Sequence, residues 1–499
     1  MTKIGKNIIS NLGLQGWLTV SQIILVPFYI HYLGVEAYGL VGLYTSLMAM
    51  FFLLDFGFSA TIQQELAKDK SNLDQNFFRL DLLRTLEIVY AGLSLFGLVV
   101  LILCREFLSK RMASDSVLDA TVIHQSILAM ALLLALRLLM GLYTGAMNGL
   151  QQQFKLNIII LVLELIKFAG TILCLHYLWN HILAFFLINI FISLLTMVIL
   201  RRLVWKHEHV DGYVPNFKFS VLRSRLKFTV GVALISIIAA IISQVDKFVL
   251  SGLVSLEDFG YYTLAFTIAS IPMKFVASIA GAVYPRLIQE YANGNEEGLI
   301  KIYQKASQLI SLVIVPVSLC LFFYTQQILN IWFDQPMLTQ KIEWLVKIFV
   351  LGFMLNGMMT MPYYLQLVYQ WTSLSIIKNV IAIILLVPVL FLLIKSYGIY
   401  GASWIWLILN FSYLLIEIPI LHSRVLPKIQ KIWYLHSILI PVFLVGFIGY
   451  ALHFLFFQSS VFGFLEWMVI VLTMSGTLLL LNHIMSEQPL WSIRGLLKV

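Results

Sequence analysis

The residues of this chain that could do chemistry are a few charges embedded in stretches long enough to cross a bilayer. They are Asp55, Arg137, Glu164 with Lys167, Asp246 with Lys247, Lys274, Lys347, Lys378 and Glu417. An ionisable side chain at membrane depth is costly, so each one is a candidate for ligand or ion handling. Spacing sorts them. Glu164 and Lys167 stand at i,i+3, and Glu343 and Lys347 at i,i+4, so each pair can neutralise itself on one helix face. Asp246 and Lys247 are neighbours and point about 100° apart on a helix, so the expectation is that at least one finds its partner elsewhere. Arg137 and Lys274 have no acid three or four positions away. Both lie about fifteen residues, roughly 22 Å, from the outer ends of their helices. Two such cations, with Lys247, would make an anion site inside the membrane, Arg137 offering a planar fork suited to phosphate. The competing reading for Arg137 is a salt bridge to Asp55, which sits at similar depth. Lys378, near an inner helix end, is expected to snorkel.

Enzyme constellations are missing: there is no phosphate-binding loop, no helical pair of zinc-ligating histidines and no nucleophile elbow. Cys104, Cys174 and Cys320 are scattered singly, so no metal or disulfide framework can be read, and no cofactor is expected. The ten histidines fall mostly at helix ends and loops.

Composition explains why charges are so informative here. Hydrophobic residues make up 60% of the chain and charged residues 11%, well outside soluble proteins. Apolar runs predict an all-α polytopic membrane protein of about fourteen helices, with twelve as the alternative. Six fall at roughly 8–31, 39–62, 83–104, 122–144, 156–178 and 182–201. Six more fall at roughly 229–252, 259–283, 306–329, 342–365, 373–394 and 401–421, and a final pair at roughly 435–457 and 461–482. Lys and Arg concentrate on alternate connections, which predicts both termini in the cytoplasm. That placement accounts for the net charge of +9 without nucleic acid. The basic connection from Arg201 to Phe228 is the longest, and its V-L-R-S-R-L-K-F end reads as an amphipathic segment on the inner leaflet.

An internal echo sets the organisation. Ser243-Gln244 repeats Ser21-Gln22, and Leu256-Glu257-Asp258-Phe259-Gly260 repeats Val35-Glu36-Ala37-Tyr38-Gly39, about 221 residues apart. Two pseudo-symmetric six-helix bundles related by a parallel repeat are expected. Residues 1–210 would form the first lobe, 211–422 the second, opening with the basic linker, and 423–499 two further helices and a tail. Of the prolines inside spans, Pro27 and Pro272 fall in the repeated helix pairs and are the hinge candidates.

These segments also resemble a known family. K-N-I-I-S-N-L-G, P-F-Y-I-H-Y-L-G-V-E-A-Y-G-L, L-D-F-G-F-S-A (Leu54–Ala60), S-Q-V-D-K-F-V-L-S, L-E-D-F-G-Y-Y and A-V-Y-P-R-L (Ala282–Leu287) are similar to Wzx-type polysaccharide flippases of the multidrug/oligosaccharidyl-lipid/polysaccharide exporter (MOP) superfamily. The resemblance implies movement of undecaprenyl-pyrophosphate-linked oligosaccharides across a bacterial inner membrane. Two lobes would alternate access to a cationic cavity, coupled to a proton or sodium gradient. Arg137, Lys274 and Lys247 would then meet the pyrophosphate, and Asp55, Asp246 and Glu417 would be candidates for the coupling ion. A polysaccharide polymerase and a chain-length regulator are the implied protein partners. Sibling readings are a peptidoglycan-precursor flippase and a multidrug exporter. A membrane polysaccharide polymerase, the reading from another class, needs a large outer loop, and the longest outer connection here is about seventeen residues.

Overall fold

The computed structural model describes residues 3–67, 73–113, 116–208, 212–220, 241, 243–456, 473, 475 and 476. The expected amphipathic segment after the linker, most of the seventh span and the fourteenth span lie outside them. Ten continuous helical stretches among the described residues are long and apolar enough to cross a membrane. Two of these are pairs joined through a glycine in a conformation closed to other residues. Helix α1 (Lys3–Phe51) turns at Gly34, φ 80° and ψ 170°, and α13 (Thr372–Val425) turns at Gly398, φ 58° and ψ −137°. The all-α, multi-pass architecture read from hydropathy is therefore the one that forms, and a thirteenth span is present at Pro427–Phe454.

Two compact units divide the chain, Met1–Gly260 and Tyr261–Val499. In the first, α1 is followed by a short 3₁₀ turn (Phe52–Asp55) and by α2 (Phe58–Leu66), α3 (Leu73–Ala113), α4 (Ala120–Gly149), α5 (Gln153–Leu173), α6 (Ile182–His207) and α7 (243–250). Helix α3 is longer than its apolar run predicted, so the outer connection shrinks to a few residues. Glu36 holds that connection, its carboxylate accepting from Ser116 Oγ at 2.8 Å and from the amides of Val117 and Leu118.

The core of this unit gathers Ile62, Leu83, Leu86, Tyr90, Leu142, Met147 and Leu200 from α2, α3, α4 and α6. One end of this unit carries the start of the basic linker. Buried Asp81 accepts from Tyr213 Oη at 2.6 Å and from the Asn216 amide at 3.0 Å, and pairs with Lys218 Nζ at 2.6 Å. Thr85 Oγ1 accepts from the Lys218 amide, and Phe77 stacks on Tyr213 at 4.2 Å. The linker is thus strapped to α3 over residues 212–220.

The repeated segments meet each other inside the first unit. A Cβ on Gly39 would lie 2.6 Å from the Leu256 carbonyl oxygen, and one on Gly260 would strike the Val35 carbonyl. Val35 and Leu256 are equivalent in the echo, as are Gly39 and Gly260, so the contact is reciprocal, like an isologous interface within one chain. Neither glycine can be replaced without moving backbone, because small residues are what allow helices this close.

In the second unit, α8 (Leu256–Ala292) enters from the first and is followed by α9 (Glu296–Phe323), α10 (Thr325–Phe333), α11 (Pro336–Met358), α12 (Thr360–Val368) and α13. Short α14 (Gln430–Tyr434) leads to α15 (Ile440–Phe456). Its core runs through Val276, Leu287, Tyr303, Ile314, Met361, Ile418 and Trp433.

Candidate functional site

In the first unit the second span is broken at membrane depth. Phe56 adopts φ 47° and Gly57 φ 79°, ending the 3₁₀ turn and starting α2 afresh. A left-handed Phe costs roughly 1–2 kcal/mol, so the break is held by other contacts. Asp55 supplies them: its carboxylate accepts from Ser59 Oγ at 2.8 Å, from the Ser59 amide at 3.3 Å, and from Tyr90 Oη on α3. A negative charge at the exposed amides of a helix start is favourable. Asp55 therefore serves the break and makes no bridge to Arg137.

Helix α4 fixes where this break lies. Arg137, Gly141, Gly145 and Gly149 recur every four residues along one face. A Cβ at Gly145 would be 2.7 Å from the Ser59 carbonyl oxygen, and one at Gly149 2.5 Å from that of Gln63, so α2 lies directly on the two lower glycines. Beside Gly141 the space is open. One turn above it, Arg137 lines a crevice with Met48, Phe51, Phe52, Leu134 and Leu138. Among the described residues Arg137 makes no salt bridge, and its Nε is buried with no hydrogen-bond partner. Such a group carries a desolvation penalty of about 1–3 kcal/mol, more when charged. An anion with several oxygens is the partner that would relieve it. Of the expected cations, Arg137 is the one with a buried donor nitrogen that lacks a hydrogen-bond partner among the described residues.

The other expected residues divide as follows. Lys247 Nζ lies 3.6 Å from Asp246 Oδ2 and 3.4 Å from the Ser243 carbonyl oxygen. The long lysine stem folds back along its own helix, so the two neighbours reach each other although they point apart. Lys274 is half-buried on α8, two residues after Pro272, with Ser278 Oγ donating to its carbonyl at 3.0 Å. Pro27 and Pro272 both sit inside continuous helix, while the sharp breaks fall at Gly34, Phe56–Gly57 and Gly398. The pairs Glu164–Lys167 and Glu343–Lys347 form as spacing implied.

Lys378, expected to snorkel, instead pairs with Glu417, the residue read as a candidate for the coupling ion or for a structural role. Glu417 is buried and pairs with Lys378 across 39 positions, while Gln366 Nε2 donates to its other oxygen at 2.5 Å. Ser375 Oγ donates to Gln366 Oε1 at 2.6 Å, and the Lys378 ammonium lies 4.2 Å from the centre of the Tyr413 ring. Both carboxylate oxygens are engaged. Sequence reasoning missed this cluster because its members lie on α12 and on the two arms of α13 either side of Gly398. It also missed the break in the second span and the clamp on α4, although D-F-G at 55–57 and G-A-M-N-G at 145–149 were signals for each.

Comparison with known proteins agrees with this architecture. The family described as "Polysaccharide biosynthesis protein" matches residues 4–290, and one described as MatE matches 232–392. No curated protein matches by sequence. Among solved structures, the chain is similar to the lipid II flippase MurJ in an inward closed conformation, with 15% identity and a TM-score of 0.67 over 94% of this chain and 97% of that one. It is also similar to a multidrug resistance MATE family transporter of the MOP superfamily, inward-facing, at 13% identity and a TM-score of 0.59 over 91% of this chain and 100% of that one. A MOP superfamily transporter from Pyrococcus furiosus follows at 13% identity and 0.53, covering 86% and 95%. With a family match over more than half its length, the chain belongs to the polysaccharide biosynthesis protein family and is a multi-pass membrane protein with the fold of the MOP-superfamily transporters.

Proposed function

We propose that the protein is a transporter, not an enzyme, that carries undecaprenyl-pyrophosphate-linked oligosaccharide repeat units from the inner to the outer leaflet of the bacterial cytoplasmic membrane. It does so by alternating access, with both termini in the cytoplasm as the distribution of Lys and Arg implies. The observation that supports this most directly is Arg137: a half-buried side chain whose buried Nε has no hydrogen-bond partner among the described residues, beside the space left by Gly141. A diphosphate crossing the hydrocarbon region needs such a counter-charge, and a guanidinium meets it with paired hydrogen bonds. Lys274 and Lys247 add positive charge along the route, and the uncharged glycan travels in water.

In this reading a proton or sodium gradient drives the cycle through Asp55 or Asp246. Glu417 is set aside, since Lys378 already neutralises it. The transported glycan is handed to a polysaccharide polymerase and a chain-length regulator. A peptidoglycan-precursor flippase is the second reading, supported by the fold likeness to a lipid II flippase. Both readings place a polyprenyl pyrophosphate at Arg137.

The test is reconstitution into vesicles with the lipid-linked glycan extracted from the source cell, scored by its appearance in the opposite leaflet. Arg137→Ala should cut the rate about 10- to 100-fold, the range for a charged hydrogen bond, and Arg137→Lys should keep part of it. Vesicles that export cationic dyes but leave the lipid where it started would overturn the proposal. Indifference to collapse of both gradients would remove the coupling alone.

A further inference from the structure

The A-V-Y-P-R-L segment contributes to a feature that the charges do not explain. Tyr284 and Tyr291 on α8 pair with Tyr364 and Tyr369, one on α12 and one just past its end. Their ring centroids lie 4.8 Å and 4.7 Å apart, at interplanar angles of 52° and 57°. Tyr363 packs on Tyr364 at 5.8 Å. All five belong to the second unit and are half-buried or exposed, with Tyr363 at 42% and Tyr291 at 43%. None of the five hydroxyls has a hydrogen-bond partner among the described residues.

Tyrosines elsewhere in the chain are used differently. Tyr90, Tyr143 and Tyr213 donate to Asp55, Glu87 and Asp81. Here the hydroxyls are left open while the rings pack at a tilt against one another; aromatic pairs are worth about 0.5–1.5 kcal/mol beyond burial. The pairs stand seven residues apart on α8, two turns or about 10 Å. Next to them α8 exposes Ala277, Gly281 and Pro285, and a Cβ on Gly281 would meet nothing within 4 Å. Small residues beside fixed rings form a trough.

We propose that this trough binds the glycan head of the transported lipid, with tyrosine rings stacking on sugar C–H faces and the open hydroxyls bonding to sugar hydroxyls. The inference rests on the flippase reading above and adds the part of the substrate that Arg137 does not touch. An aromatic belt at a membrane interface also uses tyrosine. A belt, however, needs neither rings paired between two helices nor a notch beside them. Rigid rings with two torsions each give contact area at low entropy cost, which suits a flexible, uncharged ligand.

The experiment measures binding to the purified full chain in nanodiscs, using two probes: the lipid-linked glycan extracted from the source cell, and undecaprenyl pyrophosphate without sugar. Tyr284→Leu and Tyr291→Leu should each weaken the glycan lipid by about three- to tenfold and leave the sugar-free lipid unchanged. Tyr284→Phe, which keeps the ring and removes the hydroxyl, should fall between them and wild type, and it serves where a leucine variant fails to fold. Equal weakening of both lipids, or unchanged affinity for the glycan lipid in all three variants, overturns the trough. Wild-type protein that binds neither lipid overturns the flippase reading itself.

Discussion

The broken second span and the Lys378–Glu417 cluster both bury charge at membrane depth, yet they handle it in opposite ways. In the cluster every strong group is matched: Glu417 has Lys378 and Gln366, Gln366 has Ser375, and Lys378 rests on Tyr413. At the break, Asp55 is satisfied by Ser59 and Tyr90, but Arg137 next to it keeps a buried Nε with nothing to bond. A closed network can hold helices together and has no vacancy for a ligand. An open one stays unsatisfied until something arrives. The difference is the basis for reading the first as structural and for the proposal that the second recognises a ligand.

The largest expected effect breaks the closed network. Lys378→Met leaves Glu417 buried without its cation, and removing one partner of a buried pair costs on the order of 3–5 kcal/mol. Thermal unfolding in detergent should show a steep fall for Lys378→Met and for Glu417→Gln, and recovery of much of it in the double variant. Each single variant should lose transport only in proportion to its loss of folded protein. Transport that vanishes in a Glu417→Gln protein of normal stability would return Glu417 to the coupling residues. Arg137→Ala should behave in the opposite sense, with stability unchanged or raised, since an unsatisfied cation is removed, and with transport lost.

How much of this contrast was legible beforehand depended on distance along the chain. Glu164–Lys167 and Glu343–Lys347 were readable because a helix brings positions three and four apart together. Lys378 and Glu417 are on different arms of α13, folded back at Gly398, and nothing local reports that pairing. The unpaired state of Arg137 was legible as the lack of a nearby acid. Its isolation from Asp55 was not, because that depends on Phe56 and Gly57 turning left-handed and directing Asp55 to Ser59. The repeat was visible as words, and the structure adds that its two glycines touch. The all-α, membrane-spanning character was readable because backbone in lipid has to close its own hydrogen bonds.

A middle-sized effect separates the two roles open to Asp55. As the acceptor that starts α2, its replacement by alanine should cost about 1–2 kcal/mol, as loss of a helix cap does. Asp55→Asn keeps an acceptor and should cost less. If Asp55 also carries the coupling ion, Asp55→Asn should stop gradient-driven transport while melting close to wild type. If its role is confined to the break, Asp55→Asn should transport normally and only Asp55→Ala should lose stability. Measuring both variants by unfolding and by vesicle transport therefore decides whether the first unit holds one functional charge or two.

The smallest effect concerns the strap between Asp81 and the linker, a closed network like that of Glu417 but with one arm in water. Lys218 is half exposed, and its hydrogen bond to Asp81 raises its pKa above the ordinary lysine value. Burial, and then the same carboxylate, raises that of Tyr213. Both shifts have one sign. The folded state holds these protons more tightly, so their stabilisation is complete below the unfolded lysine value, near pH 10.4, and fades as pH climbs through the folded values. The strap should accordingly protect the 212–220 backbone from proteolysis equally at pH 6 and pH 8. Lys218→Ala, which removes a solvent-screened arm, should alter cleavage slightly and melting hardly at all. Asp81→Ala should do more, because it strips the acceptor from Tyr213, Asn216 and Lys218 together. Equal sensitivity to the two substitutions would mean that the exposed ion pair, and not the buried carboxylate, holds the linker to α3.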